Sequence, residues 1–139
     1  MPNHTIQEVA PNIQQFAGEG ELLIKALKEH IETTSGVKEH FKVKNKAHSR
    51  SLRVSFYGLK ILFRVELLMT AAATCRGFVR SYIVPSNKLK KEIPLGNSLK
   101  FPYYEENADK SKVRADFACQ ILAEVADGLA KEDFNLKLQ

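Results

Sequence analysis

The chain has 139 residues, 44% of them hydrophobic and 27% charged, with a formal net charge of +5. Length and composition fit a single domain over residues 1–139 that buries roughly two-thirds of its unfolded surface, and they do not suggest disorder. No apolar run approaches the ~20 residues of a membrane helix, and the opening MPNHTIQEVAPN lacks the basic and apolar regions of a secretory signal.

The expected setting is therefore cytoplasmic, with no membrane partner. Cys75 and Cys119 are too few for a disulfide framework and are expected as reduced thiols. In chain order, Thr5 with Glu8 three residues on matches a capping box, followed by Ile6, Val9, Ile13 and Phe16 at helical spacing. Pro11 lacks a donor N–H, which predicts that this first helix ends or kinks there. A second helix is expected over residues 19–33, with Leu23, Ile24, Leu27 and Ile31 on one face and the Thr-Thr-Ser-Gly run at 33–36 as its stop.

From residue 38 to 50 every even position is basic: Lys38, His40, Lys42, Lys44, Lys46, His48 and Arg50. On a helix, alternate residues advance about 200° and these groups would point in every direction. On an extended chain they share one side, about 7 Å apart. The segment is therefore expected to be extended, leading as an edge strand into Leu52. Repulsion along it is small, about 0.6 kcal/mol for each close pair among Lys42, Lys44 and Lys46 before salt screening. Such a comb either protects a sheet edge from foreign strands or receives an anion.

The period changes to two after Leu52. Leu52, Val54 and Phe56 alternate with Arg53, Ser55 and Tyr57, then Ile61, Phe63, Val65 and Leu67 with Leu62, Arg64 and Glu66, on either side of Tyr57-Gly58-Leu59-Lys60. A two-residue II′ turn with Gly58 first would pair Phe56 with Ile61, Val54 with Phe63 and Leu52 with Val65. It would also set Arg53 opposite Arg64. A third strand over residues 75–84 would present Cys75, Gly77, Val79, Ser81 and Ile83 to the core after an odd-length connection, with Glu66 opposite Arg80 in one allowed register. A further hairpin is expected from residues 89–93 and 99–104 around Pro94-Leu95-Gly96-Asn97. Asn107 or Asp109 would cap a final helix over residues 110–131, striped by Val113, Phe117, Ile121, Leu122, Val125 and Leu129. The expected class is α+β: an antiparallel meander of three to five strands with N- and C-terminal helices on one face.

The same alternation leaves Arg53, Tyr57, Arg64, Arg76, Phe78, Arg80 and Tyr82 on the other face, a mixture of cations and aromatics suited to nucleic acid. No chemistry-bearing motif accompanies it. His40 and His48 would stand about 26 Å apart on an extended chain, too far to share a metal. Neither C-x-x-C nor H-E-x-x-H occurs, and there is no phosphate-cradling glycine loop or nucleophile elbow. Cys75 and Cys119 read as small buried hydrophobes. No catalytic residue, metal, cofactor or small-molecule substrate is expected.

The function expected is a non-enzymatic binding module. Lys38, Lys42, Lys44, Lys46, Arg50, Arg53, Arg64, Arg76 and Arg80 would contact nucleic-acid phosphates, with Tyr57, Phe78 and Tyr82 for stacking or an interface. The alternative is a protein-interaction module (an adaptor, a chaperone-like factor or an inhibitor), homodimeric or with another partner, in which the comb is only a solvated edge.

Overall fold

The computed structural model describes residues 5–44, 50–71, 74–87 and 89–138. Two helices and a five-stranded antiparallel sheet make an α+β fold, with strands in the order of the chain. The elements are α1 (Ile6–Thr33), β1 (Lys42–Val43), β2 (Ser51–Phe56), β3 (Leu59–Met69), β4 (Cys75–Ile83), β5 (Ile93–Lys100) and α2 (Lys110–Leu129). Among the described residues, no helix is long and apolar enough to cross a membrane.

The N-terminal half departs from expectation in one respect: α1 is a single helix with Pro11 inside it. The Glu8 carboxylate accepts from the Thr5 N–H at 3.4 Å, as a capping box requires. Pro11 forfeits only the bond to the Gln7 carbonyl, and both residues are exposed, so water solvates that carbonyl and the helix continues.

Between β2 and β3 the turn residues are Tyr57 and Gly58, at φ 47° and 88°. Positive φ at both positions defines type I′, where glycine favours the second place, rather than the II′ turn with Gly58 first. The register is therefore two residues from the expected one: Val54 faces Ile61, Leu52 faces Phe63 and Phe56 faces Leu59. Arg53 lies opposite Leu62, not Arg64, while Arg64 lies opposite Arg80 and Glu66 opposite Phe78. A shift of two preserves parity, so Leu52, Val54, Ile61 and Phe63 still turn together into the core. The connection to β4 spans residues 70–74, odd in length as parity demands. The inward residues of β4 are Cys75, Gly77, Val79, Ser81 and Ile83.

The expected hairpin after β4 is instead one strand, β5, paired along β4 with a bulge between Val79 and Ser81. Pro94 is tolerated because β5 is the sheet edge, where one side of the backbone needs no strand partner. The bulge absorbs residues 96–98, and Glu124 of α2 accepts from the Asn97 N–H at 2.8 Å.

Both helices pack on the inward face, burying Leu23, Leu27, Ile31, Phe117, Ile121 and Val125 against Leu52, Val54, Phe63 and Val79. Asp109 caps α2, accepting from the Ser111 N–H at 3.1 Å. The small β4 face matters where Phe101 lies against Gly77, held there by the Phe101 N–H to the Gly77 carbonyl at 2.9 Å. A polar latch joins the helices. Glu19 accepts from Arg114 Nε at 3.1 Å and Nη2 at 2.8 Å, and from the Tyr104 hydroxyl. The ion pair is only 17% and 19% exposed, which shields it from solvent screening better than a surface pair.

Two outcomes follow from this packing. Gly77→Ala drives a methyl into the Phe101 ring and should cost about 1–3 kcal/mol, part of which Phe101→Leu in the same chain restores; thermal melts of the single and double variants check it. Burial, followed by the bond to Glu19 and the charge of Glu19, pushes Tyr104 from 10.0 up to about 12. Its folded-state value lies above the unfolded one, so its contribution is fully present below pH 10 and fades as pH rises from 10 to about 12. Denaturant melts across that range should fall more steeply for the wild type than for Tyr104→Phe.

Candidate nucleic-acid interface

The alternation that fills the core turns the intervening residues to the opposite sheet face, where Leu62 is nonetheless buried and the cations sit around it. Cations dominate this face. In rows across the strands, Lys42 stands beside Ser55 and Ser55 beside Lys60; Arg53 faces Leu62, which faces Tyr82. Arg64 faces Arg80, Phe78 lies between Glu66 and Lys100, and Arg76 stands opposite Leu68.

At the β1 edge this face deepens into a cleft of about 380 Å³ lined by Glu39, His40, Lys42, Lys44, Ser55, Tyr57, Gly58, Lys60 and Lys137. Its position follows from the turn and the tail. The I′ turn points Tyr57 over the face, and the Lys137 N–H donates to the Tyr57 carbonyl at 2.7 Å, which brings the C-terminal lysine to the cleft. His40 Nδ1 and the Tyr57 hydroxyl lie 2.5 Å apart. The lone acid is pinned at one side: its own backbone N–H and that of Gly36, at 2.8 Å, hold the Glu39 carboxyl below the ordinary carboxylate range. Four lysines thus meet one carboxylate, and none of the four makes an ion pair among the described residues.

The middle of the face is more self-contained. Arg64 pairs with Glu92 at 2.8 Å, and the Tyr82 hydroxyl donates to Glu66. Burial, then this bond and the Glu66 charge, raise Tyr82 above its ordinary value. The guanidinium carbons of Arg64 and Arg80 lie 5.1 and 5.8 Å from the centre of the Tyr82 ring, which already engages it in cation–π contacts. Arg80 Nε is buried and has no hydrogen-bond partner among the described residues.

Compared with family models, curated proteins and solved structures, the chain finds no match.

The site residues expected from sequence therefore separate into groups. Lys42 and Lys44 line the cleft with Tyr57. Arg53 and Arg76 are exposed on the open face, while Arg64, Phe78, Arg80 and Tyr82 are half-buried there. The comb itself is not continuously extended: among its described residues only Lys42–Val43 forms a strand, and Lys38 and His40 sit in the turn after α1. Turn geometry intervenes because α1 must reverse direction within a few residues to deliver β1 to the sheet edge. Lys46 and His48 lie outside the described residues, and Arg50 is drawn to Glu21 at 3.3 Å. Lys60 and Lys137 were missed. The parity of β3 signalled Lys60, whereas nothing in the sequence signalled that residue 137 returns to the β2–β3 turn.

Arg80 supplies a test of whether this face was shaped for stability. Two cations directly opposed across strands, one with an orphaned buried donor, both oppose folding. Arg80→Met keeps an unbranched apolar stem and removes both penalties, so stability should be unchanged or higher by up to about 1 kcal/mol. Thermal melts decide it, and a clearly lowered Tm would mean that the guanidinium anchors the face.

Proposed function

We propose that this protein is a non-enzymatic module that binds single-stranded nucleic acid, gripping phosphates in the lysine cleft and extending along the basic sheet face. One observation carries the reading: Lys42, Lys44, Lys60 and Lys137 converge on a single open cleft from β1, the residue after it, β3 and the tail. Four ammonium groups around one carboxylate make a local positive potential that costs folding energy and attracts polyanions. The cleft has room for a phosphate and its sugar, and Arg53 lies on the same face beyond Ser55. The roles of Arg64 and Tyr82 are reduced in this reading, since each already has partners.

A specific observation favours a second reading, a protein-interaction module. Among the described residues β3 pairs with β2 as far as Arg64, the Val65 N–H donates to the Arg50 carbonyl at 3.0 Å, and β3 runs on through residues 66–69, where Leu67, Leu68 and Met69 are exposed. Such an edge suits an added strand.

Salt dependence separates the two. If the four cleft lysines each release counterions from a single strand, log affinity should fall against log salt with a slope of about −2.8. Changing Lys42, Lys44 and Lys60 together to Gln should flatten it by about two units. Fluorescence anisotropy with a labelled oligonucleotide at several salt concentrations reads both values. Absence of salt-dependent binding at low ionic strength, with self-association by light scattering, would overturn the first reading in favour of the second.

A further inference from the structure

On the helix side of the sheet, α1 and α2 bring together three side chains that no motif announced. Cys119 of α2 is exposed, not buried as its residue type suggested. Its Sγ lies 3.7 Å from Nε2 of His30 on α1, within reach of a thiol hydrogen bond. The other ring nitrogen, Nδ1, lies 2.9 Å from the Thr34 hydroxyl, the C-cap position of the same helix. A cleft of about 430 Å³ between the helices opens beside the imidazole, lined among others by Lys25, Glu29, His30, Thr34, Ser111 and Arg114.

We infer that Cys119 is a thiol–disulfide exchange site, with His30 as its proton acceptor, Thr34 as a positioning residue, and a low-molecular-mass disulfide as its co-reactant. A nucleophile touching a base that a third group orients is the arrangement that activates cysteine, and it is more than an exposed thiol. The tautomer required is the one in which Nδ1–H donates to the Thr34 oxygen, which leaves the Nε2 lone pair facing the thiol. Nε2 takes the Sγ proton, and the thiolate attacks one sulfur of the disulfide. The Sγ–S bond forms as the S–S bond breaks, and the expelled thiolate recovers the proton from His30. One disulfide becomes one mixed disulfide and one thiol, with no net oxidation.

Accessibility restricts the reaction to one of the two cysteines. Cys75 is buried, and that burial raises its thiol above the ordinary range, so it stays protonated and shielded in the folded chain. The charged groups lining the cleft beside His30 are Lys25 and Glu29 on α1 and Arg114 on α2, the last already committed to Glu19. Lys25 gives the cleft a cation for a disulfide that carries carboxylates.

The experiment follows thiol release from 5,5′-dithiobis(2-nitrobenzoate) with the full chain at neutral pH. One thiol per folded chain should react rapidly, and a second only in denaturant; Cys119→Ser should abolish the fast phase. His30→Gln should slow that phase at least tenfold and change the shape of its pH–rate profile. Thr34→Val should slow it a few-fold, and Thr34→Ser, which keeps the hydroxyl, should restore the wild-type rate. Circular dichroism of each variant verifies that the helices remain. A His30→Gln rate equal to wild type, an unchanged pH profile, or two equivalent thiols in the folded chain would overturn the inference. None of these outcomes depends on the oligonucleotide measurement.

Discussion

Two residues of turn, Tyr57 and Gly58, set the parity on which both faces of the sheet depend. In an antiparallel meander each strand inherits its facing from the one before, through the number of residues between them. Tyr57 accepts positive φ so that Gly58 can take the second position of an I′ turn, and the right-handed twist of the strands is continued without splaying. A loop one residue longer would send Phe63 to solvent and Arg64 to the core. Because the loop has two residues, Leu52, Val54, Ile61 and Phe63 all face the helices, and every cation between them faces outward. The same short segment also carries the Tyr57 carbonyl that captures Lys137 and the hydroxyl beside His40. The turn therefore organises the core and the cleft together.

Magnitudes explain how the fold tolerates so basic a surface. Each fully buried core side chain such as Phe63 or Leu52 contributes about 1.5–3 kcal/mol relative to exposure. Like charges opposed across strands, as Arg64 and Arg80 are, cost a fraction of that, at most about 1 kcal/mol per pair. Glu92, Glu66 and the Tyr82 ring offset part of the cost in the middle of the face. At the β1 edge nothing comparable does so, since Glu39 is the one acid among the residues lining the cleft and backbone N–H groups already engage it. Stability alone gives no reason for four lysines to gather there, which is the ground on which polyanion binding is proposed.

What could be read from the sequence was periodicity, and periodicity survives errors of register. Taking Gly58 as the first turn residue moved every cross-strand partner by two places, yet no side chain changed face. It did change neighbours: the shift removes the expected Arg53–Arg64 pair, while the separate register of β3 with β4 sets Arg64 opposite Arg80. Local rules failed where tertiary context supplied what they assume is missing. Pro11 is expected to end or kink the helix, yet α1 does not end there, because the carbonyl it orphans is exposed to water. Pro94 and Gly96 resemble a hairpin turn, but an edge position and the Glu124 carboxylate stabilise a bulged strand there. Lys137 and the Cys119–His30 contact left no periodic trace, since they join segments 80 and 89 residues apart. Only the packed helices and the returning tail create them.

The two sites differ in how they are built, and one short segment joins them. The cleft sits on the open sheet face and is a product of strand parity; the thiol pair sits between helices and is a product of their packing. Thr34, which orients His30, also ends α1, and its carbonyl accepts from the Val37 N–H at 3.1 Å and the Lys38 N–H at 2.9 Å. Those bonds shape the turn that delivers Glu39 and His40 to the cleft. Contiguity of this kind is not coupling until two arrangements of the turn exist for both sites to bias. Its physical basis is nonetheless specific: the Thr34 side chain faces the thiol site while its carbonyl holds the turn that borders the lysine cleft.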